Sequence, residues 1–481
     1  MPLLVVSYFN RMQQLPDFKT NLSDWFNEVV LKAELADYAP VKGCMVIRPY
    51  GYALWENIQK FMDVLIKKHG VDNAYFPLFI PMSFFEKEKE HIAGFAPELA
   101  LVTIGGGKEL PEKLAVRPTS ETIMYHMYQK WFGSWRDLPV RINQWCNMVR
   151  WEKRTYLFLR TSEFLWQEGH CAHLTHEESI AEVEWAIKMY AQTYQELFGM
   201  YGIIGAKSDT EKFAGGAKSY TFEALMPNGK SLQACTSHDL GQNFAKSIDW
   251  TVQDQKGNKS FPWQNSWGFS TRSIGGLIMS HGDQKGLVMP PNIAPIQIII
   301  IPIPGHNTAL SKSQELLKLL ENYRVKIDSK EGETAGAKFN KWELKGVPLR
   351  IEIGNRDVTA GTVIICRRDT GEKITVKFDN LSKTVAKLLN EIQQSLFDKH
   401  KKFTESNTFK ADSYDEFKKI METSRGFISA HWCETADCEA QIKTDTKATT
   451  RCLPLDAVEE NGKCVRCGKP SPHRWLFGLS Y

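Results

Sequence analysis

Apolar residues recur at helical spacing near the start of this chain, where Trp25, Phe26, Val29 and Leu35 predict an amphipathic helix over 21–38. A short strand is expected at 40–47, and Pro49, Tyr50 and Gly51 predict a turn. Trp55, Ile58, Phe61, Met62 and Leu65 then stripe one face of a helix over 53–69, the usual mark of a side packed on a core. The run 75–81 predicts a strand ending in Pro81. Further helices are expected from Ile123, Met124 and Tyr125, and through Ile274, Leu277, Ile278 and Met279, the latter broken by Pro290 and Pro291. From 294 the pattern changes to strand 296–303, helix 311–323, strand 325–328, strands 349–353 and 363–367, and helix 381–399. That alternation predicts a separate α/β unit of mixed sheet. The expected domains are 1–293, 294–400 and 401–481.

Composition narrows the class without naming a chemistry. With 481 residues, 42% apolar and 24% charged, the chain has the make-up of a soluble globular protein of two or three domains. A net charge of +4 is too small to require a nucleic-acid partner, and clusters such as Lys399, Lys401 and Lys402, or Arg367 with Arg368, permit one locally. The most apolar run, 296–303, is interrupted by Gln297 and ended by Pro302, so no membrane span is expected. Residues 1–9 lack a basic lead and a small-residue cleavage site, which argues against a signal peptide. The ten cysteines are mostly scattered, and Cys44, Cys146, Cys171, Cys235 and Cys366 fall in core-like segments, favouring reduced thiols and a cytoplasmic location.

The densest chemistry lies in 150–168, which reads R-x-E, a polar loop, then R-x-x-x-F-x-x-x-E. Two strands around a turn are expected, with Arg150 and Glu152 on one face and Arg160, Phe164 and Glu168 projecting from the return strand. Phe158, Leu159, Phe164, Leu165 and Trp166 make the hairpin apolar enough to be buried, and buried arginines need partners. Planar guanidiniums and an aromatic ring suit phosphate and a stacked base, so the set suits a nucleotide. It resembles motif 2 of the class II aminoacyl-tRNA synthetases. By that resemblance Arg150 holds the α-phosphate of ATP and the carboxylate of the amino acid, Glu152 and Phe164 recognise adenine, and Arg160 reaches the outer phosphates.

A second signal is Arg117-Pro118-Thr119-Ser120-Glu121-Thr122. Its local reading is a helix N-cap with a carboxylate in the first turn, which also suits a small ammonium group. The run resembles the T-x-E loop of prolyl-tRNA synthetases, in which Thr119 and Glu121 hold the amino group of the substrate. The run 266–272 ends in Ser270, Thr271 and Arg272 at a helix start and resembles motif 3, whose Arg272 stacks on adenine and contacts the γ-phosphate. The run 233–242 resembles the T-S-H-x-L-G-Q segment of the prolyl enzymes. By that resemblance His238 lines the proline pocket, and Gln233 and Thr236 are assigned to ATP. The same resemblance implies that Trp166, Glu168, Phe213 and Ser270 complete the proline pocket and that Phe95 covers its mouth.

The resemblance to prolyl-tRNA synthetases of the archaeal and eukaryotic type runs from about residue 20 to Tyr481. It implies an α+β (α/β) protein: a class II antiparallel-sheet catalytic domain, a mixed α/β anticodon-binding domain and a small C-terminal zinc domain. It further implies ATP with Mg2+, L-proline and tRNA(Pro) as substrates, and a homodimer joined through a helix and Pro-ended strand similar to motif 1. Residues 168–266 leave no room for the large hydrolytic editing insertion of the common bacterial type. Arg350, Glu352 and Arg356 are expected to contact the anticodon, although alternating charge on a strand is also the mark of a solvated face. Two departures stand out: the loop 153–157 is slightly short, and Ser270 replaces a common Thr while keeping its hydroxyl.

Cys433-x4-Cys438 and Cys464-x2-Cys467 form two close thiol pairs that suit tetrahedral zinc, with free thiols as the other reading. All four positions being sulfur, the expected Zn2+ is structural. Cys452 reads as core, and the resemblance implies that Tyr481 packs toward the active site. Two other functions stay open on the residues alone. One is a sister enzyme for threonine, serine or glycine, against which Thr119-Ser120-Glu121 and Trp166 argue. The other is a non-catalytic relative, against which Arg150, Arg160 and Arg272 argue.

Overall fold

The computed structural model describes residues 15–86, 99–303 and 307–481. Phe95, expected over the site mouth, and the segment 1–9 lie outside the described residues. At the centre is a largely antiparallel sheet. Its main part runs in space through Val140–Val149, Glu163–His173, Trp263–Ser270, Lys230–Gly241, Lys218–Leu225 and Ile203–Ala206. Side chains alternate across it. Trp267, Phe269, Cys235 and Phe222 face one side, where the His176–Glu196 helix packs and Tyr194 stacks on Phe222 at 4.4 Å between ring centroids. Thr175 and Glu178 form a capping box that fixes the start of this helix. Glu168, His170, Ser266, Gly268, Ser270, Thr236 and His238 face the other side and line a cavity.

The second unit is a sheet in the order Val325–Ile327, Ile298–Pro302, Leu349–Ile353, Thr362–Arg367 and Lys373–Lys377. The first three strands are parallel and the last two antiparallel, which is the mixed sheet expected. Arg368 docks this unit on the first through Asp283, at 2.7 and 2.6 Å. The helix Leu381–Ser406 carries the chain onward, so residue 400 falls inside a helix. The C-terminal strands do not form a detached sheet. Thr449–Pro454 pairs with Ile203–Ala206, and Arg474–Ser480 runs parallel to the start of Lys230–Gly241, so the C-terminal segment extends the central sheet.

Several local expectations are corrected. The first helix is Leu22–Lys32 rather than 21–38, because Glu34 adopts φ 60 and the chain turns into the strand Ala36–Tyr38. Pro49 does not turn the chain. It opens the helix Pro49–Lys68, where its missing N–H costs nothing. The strand expected at 75–81 shortens to Phe79–Pro81. Hairpin pairing stops at Val149 and Glu163, so Arg150, Glu152 and Arg160 sit on the connecting loop rather than on strands. In the second unit the helix expected at 311–323 runs Asn307–Leu319, and the helices Ala335–Leu344 and Asn355–Ala360 and the strand Lys373–Lys377 went unread.

Candidate active site and four-cysteine cluster

The cavity on the open face of the sheet measures about 260 Å³. Thr119, Glu121, Arg150, Glu152, Arg160, Phe164, Trp166, Glu168, Phe213, Gln233, Thr236, His238, Ser270 and Arg272 all line it. Their convergence follows from register. Glu168 lies opposite Gly268, Ser266 opposite His238, and Ser219 opposite His238 on its other side. Gln233 and Thr236 differ by an odd step yet share the face. The register shift between Phe222 and Glu223 skips Ala234, and this bulge returns Gln233 to the cavity.

One wall gathers the arginines. Arg150 Nε donates to the Pro118 carbonyl at 3.0 Å, and its guanidinium lies 5.5 Å from the Phe164 ring and 5.6 Å from the Trp166 ring. Arg160 pairs with Glu152 at 2.7 Å. Arg272 Nε donates to the Leu159 carbonyl at 2.9 Å, tying the start of the Arg272–His281 helix to the hairpin loop. Burial, and then the cations Arg150 and Arg160, hold the Arg272 pKa below its usual value. Three clustered cations in one cavity wall amount to a site for anions.

The other end is compact and hydrogen-bonded. Thr119 Oγ1 donates to the Glu121 carboxylate. Ser120 precedes the helix Glu121–Trp131 but makes no side-chain cap, correcting that part of the expectation; its hydroxyl instead accepts from Gln144 at 3.2 Å. Arg117, fully buried, anchors this turn through the Phe76 and Asn147 carbonyls at 2.6 and 3.0 Å. Glu168 accepts from Gln144 Nε2 at 2.8 Å and lies 2.8 Å from His170 Nε2. Burial opposes the charged form of His170, but Glu168 and Glu121 outweigh it and raise its pKa. His238 is bonded to Ser219 Oγ at 2.8 Å and stacks on Phe213 at 4.6 Å. Burial holds its pKa down to about 4, so the ring is neutral at physiological pH.

Sequence reasoning missed Gln144, His170, Ser219 and Lys207. His170 continues the alternation from Glu168 and was readable on that ground; Gln144 becomes visible only once the register places it opposite Glu168. Tyr481 does not line the cavity. Its hydroxyl accepts from Asn228 at 2.7 Å beside the Lys230–Gly241 strand, because the preceding strand runs alongside that strand's outer end. In the second unit Arg350 pairs with Glu352 at 2.9 Å, and Lys373 joins the same carboxylate at 3.0 Å, while Arg356 is exposed.

At the C-terminus the sulfurs of Cys433, Cys438, Cys464 and Cys467 lie within 4.8 Å of one another. Cys433 and Cys467 are 3.6 Å apart, close to the roughly 3.8 Å expected between two sulfurs of tetrahedral zinc. Cys452 is buried outside the cluster.

Comparison with known proteins agrees with this geometry over nearly the whole chain. Residues 103–281 match the family described as tRNA synthetase class II core domain (G, H, P, S and T). Residues 297–388 match an anticodon binding domain, and 414–481 match the C-terminal region of prolyl-tRNA synthetase. The chain is 48% identical over 472 residues to the proline–tRNA ligase of Alkaliphilus oremlandii, covering 98% of each. It is 47% identical over 473 residues to proline–tRNA ligase 2 of Clostridioides difficile, again 98% of each. To the proline–tRNA ligase of Natranaerobius thermophilus it is 50% identical over 450 residues, 93% of each.

Proposed function

The chain belongs to the prolyl-tRNA synthetases, class II enzymes that use ATP with Mg2+, and from that premise we propose that this cavity joins L-proline to ATP and passes the prolyl group to tRNA(Pro). The observation that carries the reading is the meeting of Arg150, Arg160 and Arg272 on one wall with the small pocket of Trp166, Phe213 and His238 on the other. In the first step the proline carboxylate attacks the α-phosphate, expelling pyrophosphate. Both partners are anions, and Arg150 between them offsets their repulsion. Arg160 and Arg272 take up charge on the departing phosphates, and bound Mg2+ would supply further neutralisation there. Phe164, Glu152, Gln233 and Thr236 hold the nucleoside. Glu121, steadied by Thr119, receives the imino nitrogen of proline. Glu168 and Ser270 complete the pocket, with neutral His238 against the ring. The carboxylate is already ionised, so this step needs no enzyme base. The ribose hydroxyl at the end of the tRNA then attacks the carbonyl of the prolyl-adenylate, forming the ester and releasing AMP.

The remaining assignments belong to the same reading. Residues 294–400 bind the anticodon through Arg350, Glu352 and Arg356. Residues 1–293 are catalytic, and 401–481 carry a structural Zn2+ on four thiolates, whose spacing suits that ion. Residues 174–262 are occupied by the His176–Glu196 helix and strands of the sheet itself, which supports the absence of an inserted editing domain. The archaeal and eukaryotic type describes this compact plan, not a source, since the relatives named above are bacterial. The enzyme is proposed to be a cytoplasmic homodimer. Exposed Tyr52 and Val64 on the Pro49–Lys68 helix and Phe79 on the Pro-ended strand support a covered face. No described helix is long and apolar enough to cross a membrane.

ATP–pyrophosphate exchange with each standard amino acid tests the reading. Exchange is expected with proline, and weakly with alanine or cysteine, because a pocket excludes smaller analogues poorly. Exchange with threonine, serine or glycine alone would overturn the pocket. No exchange in a folded, tRNA-binding sample would overturn the catalytic reading itself.

A further inference from the structure

Lys207 follows the Ile203–Ala206 strand, across the sheet from the arginines, and lines the same cavity. Its side chain is 3% exposed, and its ammonium makes no hydrogen bond among the described residues. The nearest carboxylate, Glu223, is 3.8 Å away. Glu223 is already saturated. Its Oε2 accepts from Ser231 at 2.6 Å and from Arg451 Nε and Nη2 at 3.0 and 2.9 Å. Its Oε1 accepts from Thr221 at 2.9 Å and Arg451 Nη2 at 3.2 Å. A carboxylate offers about four acceptor sites, and these donors occupy them. A buried ammonium with its donors unused is costly unless a partner arrives. The cavity it borders is the one that must receive a carboxylate and a phosphate.

We propose that Lys207 is a further substrate-contacting residue, donating to an anionic oxygen of the bound amino acid or nucleotide, and that Arg451 is a positioning residue that, by saturating Glu223, leaves the hydrogen-bond donors of Lys207 unused. The proposal rests on the activation reaction proposed above. It also gives the C-terminal segment a part in the site, because Arg451 comes from the Thr449–Pro454 strand. Without Arg451, the 3.8 Å ion pair between Lys207 and Glu223 would close to a hydrogen bond and draw the ammonium out of the cavity.

The test compares full-length wild type with Lys207→Met, Arg451→Met and the double variant Glu223→Gln/Arg451→Met, and Lys207→Gln serves if the methionine variant does not fold. Readouts are kcat and KM in proline-dependent exchange, binding of proline alone and of ATP alone by calorimetry, and thermal melting. Lys207→Met is expected to lower kcat/KM roughly 10- to 100-fold without lowering the melting temperature. Weaker binding of proline alone identifies the carboxylate as partner; weaker binding of ATP alone identifies a phosphate. Arg451→Met should fall in the same parameter, and removing the Glu223 charge in the double variant should restore it. A purely structural Arg451 would leave the double variant no better, overturning the positioning role. Lys207→Met and Lys207→Gln staying within about twofold of a wild type that exchanges with proline would overturn the contact. A wild type that exchanges with no amino acid would instead overturn the activation reading on which the proposal rests.

Discussion

Gln144 and Glu168 face each other directly across the first hairpin of the sheet, and Gln144 Nε2 donates to Glu168 Oε1 at 2.8 Å. His170 Nε2 lies 2.8 Å from the second oxygen, so the buried carboxylate is gripped from both sides before any substrate enters. Glu168 therefore acts less as an open acceptor than as a fixed edge of the pocket. Gln144→Leu leaves that carboxylate one donor short in a dry site. It should cost about 1–3 kcal/mol of stability and raise the KM for proline more than that for ATP. Thermal melting and exchange kinetics with each substrate varied in turn would check both, and an unchanged proline KM would show that the grip is dispensable.

Gly169 lies between Glu168 and His170 with its α-carbon against the Trp267 ring. A Cβ there would fall 2.1 Å from the ring carbons, and Trp267 is 1% exposed, with no room to retreat. Gly169→Ala should destabilise by about 1–3 kcal/mol through overpacking. Any backbone shift that relieves the clash moves both cavity side chains flanking Gly169, so exchange should fall along with the melting temperature. Full activity in a well-folded Gly169→Ala protein would contradict this packing.

Acid should unfold this protein partly through its buried histidines. Burial holds His400 at about 4 and His281 at about 3, against roughly 6.5 for an exposed imidazole. His400 Nδ1 accepts from the Tyr201 N–H at 3.1 Å, a bond that only the unprotonated nitrogen can make. Both folded pKa values lie below the unfolded one, so the stability is present above about pH 6.5. As pH falls from there toward 4, the unfolded chain takes up protons that the folded state refuses, and stability is lost. For His400 alone the loss is about 3 kcal/mol. His400→Gln should flatten the acid limb of a melting-temperature profile between pH 7 and 4. A limb of unchanged steepness would mean that His400 protonates without cost.

What the sequence disclosed depended on how far each feature reached along the chain. The R-x-E and R-x-x-x-F-x-x-x-E spacing pointed to Arg150, Arg160 and Phe164 because their roles are local to one hairpin, and the two cysteine pairs were visible for the same reason. The loop position of Arg150 was not, since nothing in the alternation says where pairing stops; that is set by closure of residues 150–162 through the Arg150 N–H bond to Ser162 O at 2.8 Å. Gln144, Lys207 and Arg451 were out of reach. Each matters through a partner on another strand, and register is a tertiary property. The merging of the C-terminal strands with the catalytic sheet was hidden likewise, because a segment with its own cysteine cluster reads as separate until Leu453 is seen opposite Ala206.

That merging makes the four-cysteine cluster more than a local staple. The segment carrying Cys433, Cys438, Cys464 and Cys467 also carries the strands that pair with Ile203–Ala206 and Lys230–Gly241, the latter bearing Gln233, Thr236 and His238. Without a metal the four sulfurs lose the bonds that would tie them together, so its removal should loosen the segment and, through the shared sheet, the cavity wall. Burial raises the Cys433 pKa, but hydrogen bonds from Thr435 and Cys467 outweigh it and bring it to about 7, whereas burial pushes Cys438 up to about 12 and also raises Cys464, so a bound zinc must displace protons from those thiols. Elemental analysis should find about one zinc per chain. Stripping it with a chelator, or replacing Cys464 with Ser, should lower the melting temperature and reduce exchange, and restored zinc should recover both in the stripped protein but not in the Cys464→Ser variant. A metal-free protein that melts and exchanges as the purified one does would mean that the four sulfurs are ordinary thiols gathered by the fold.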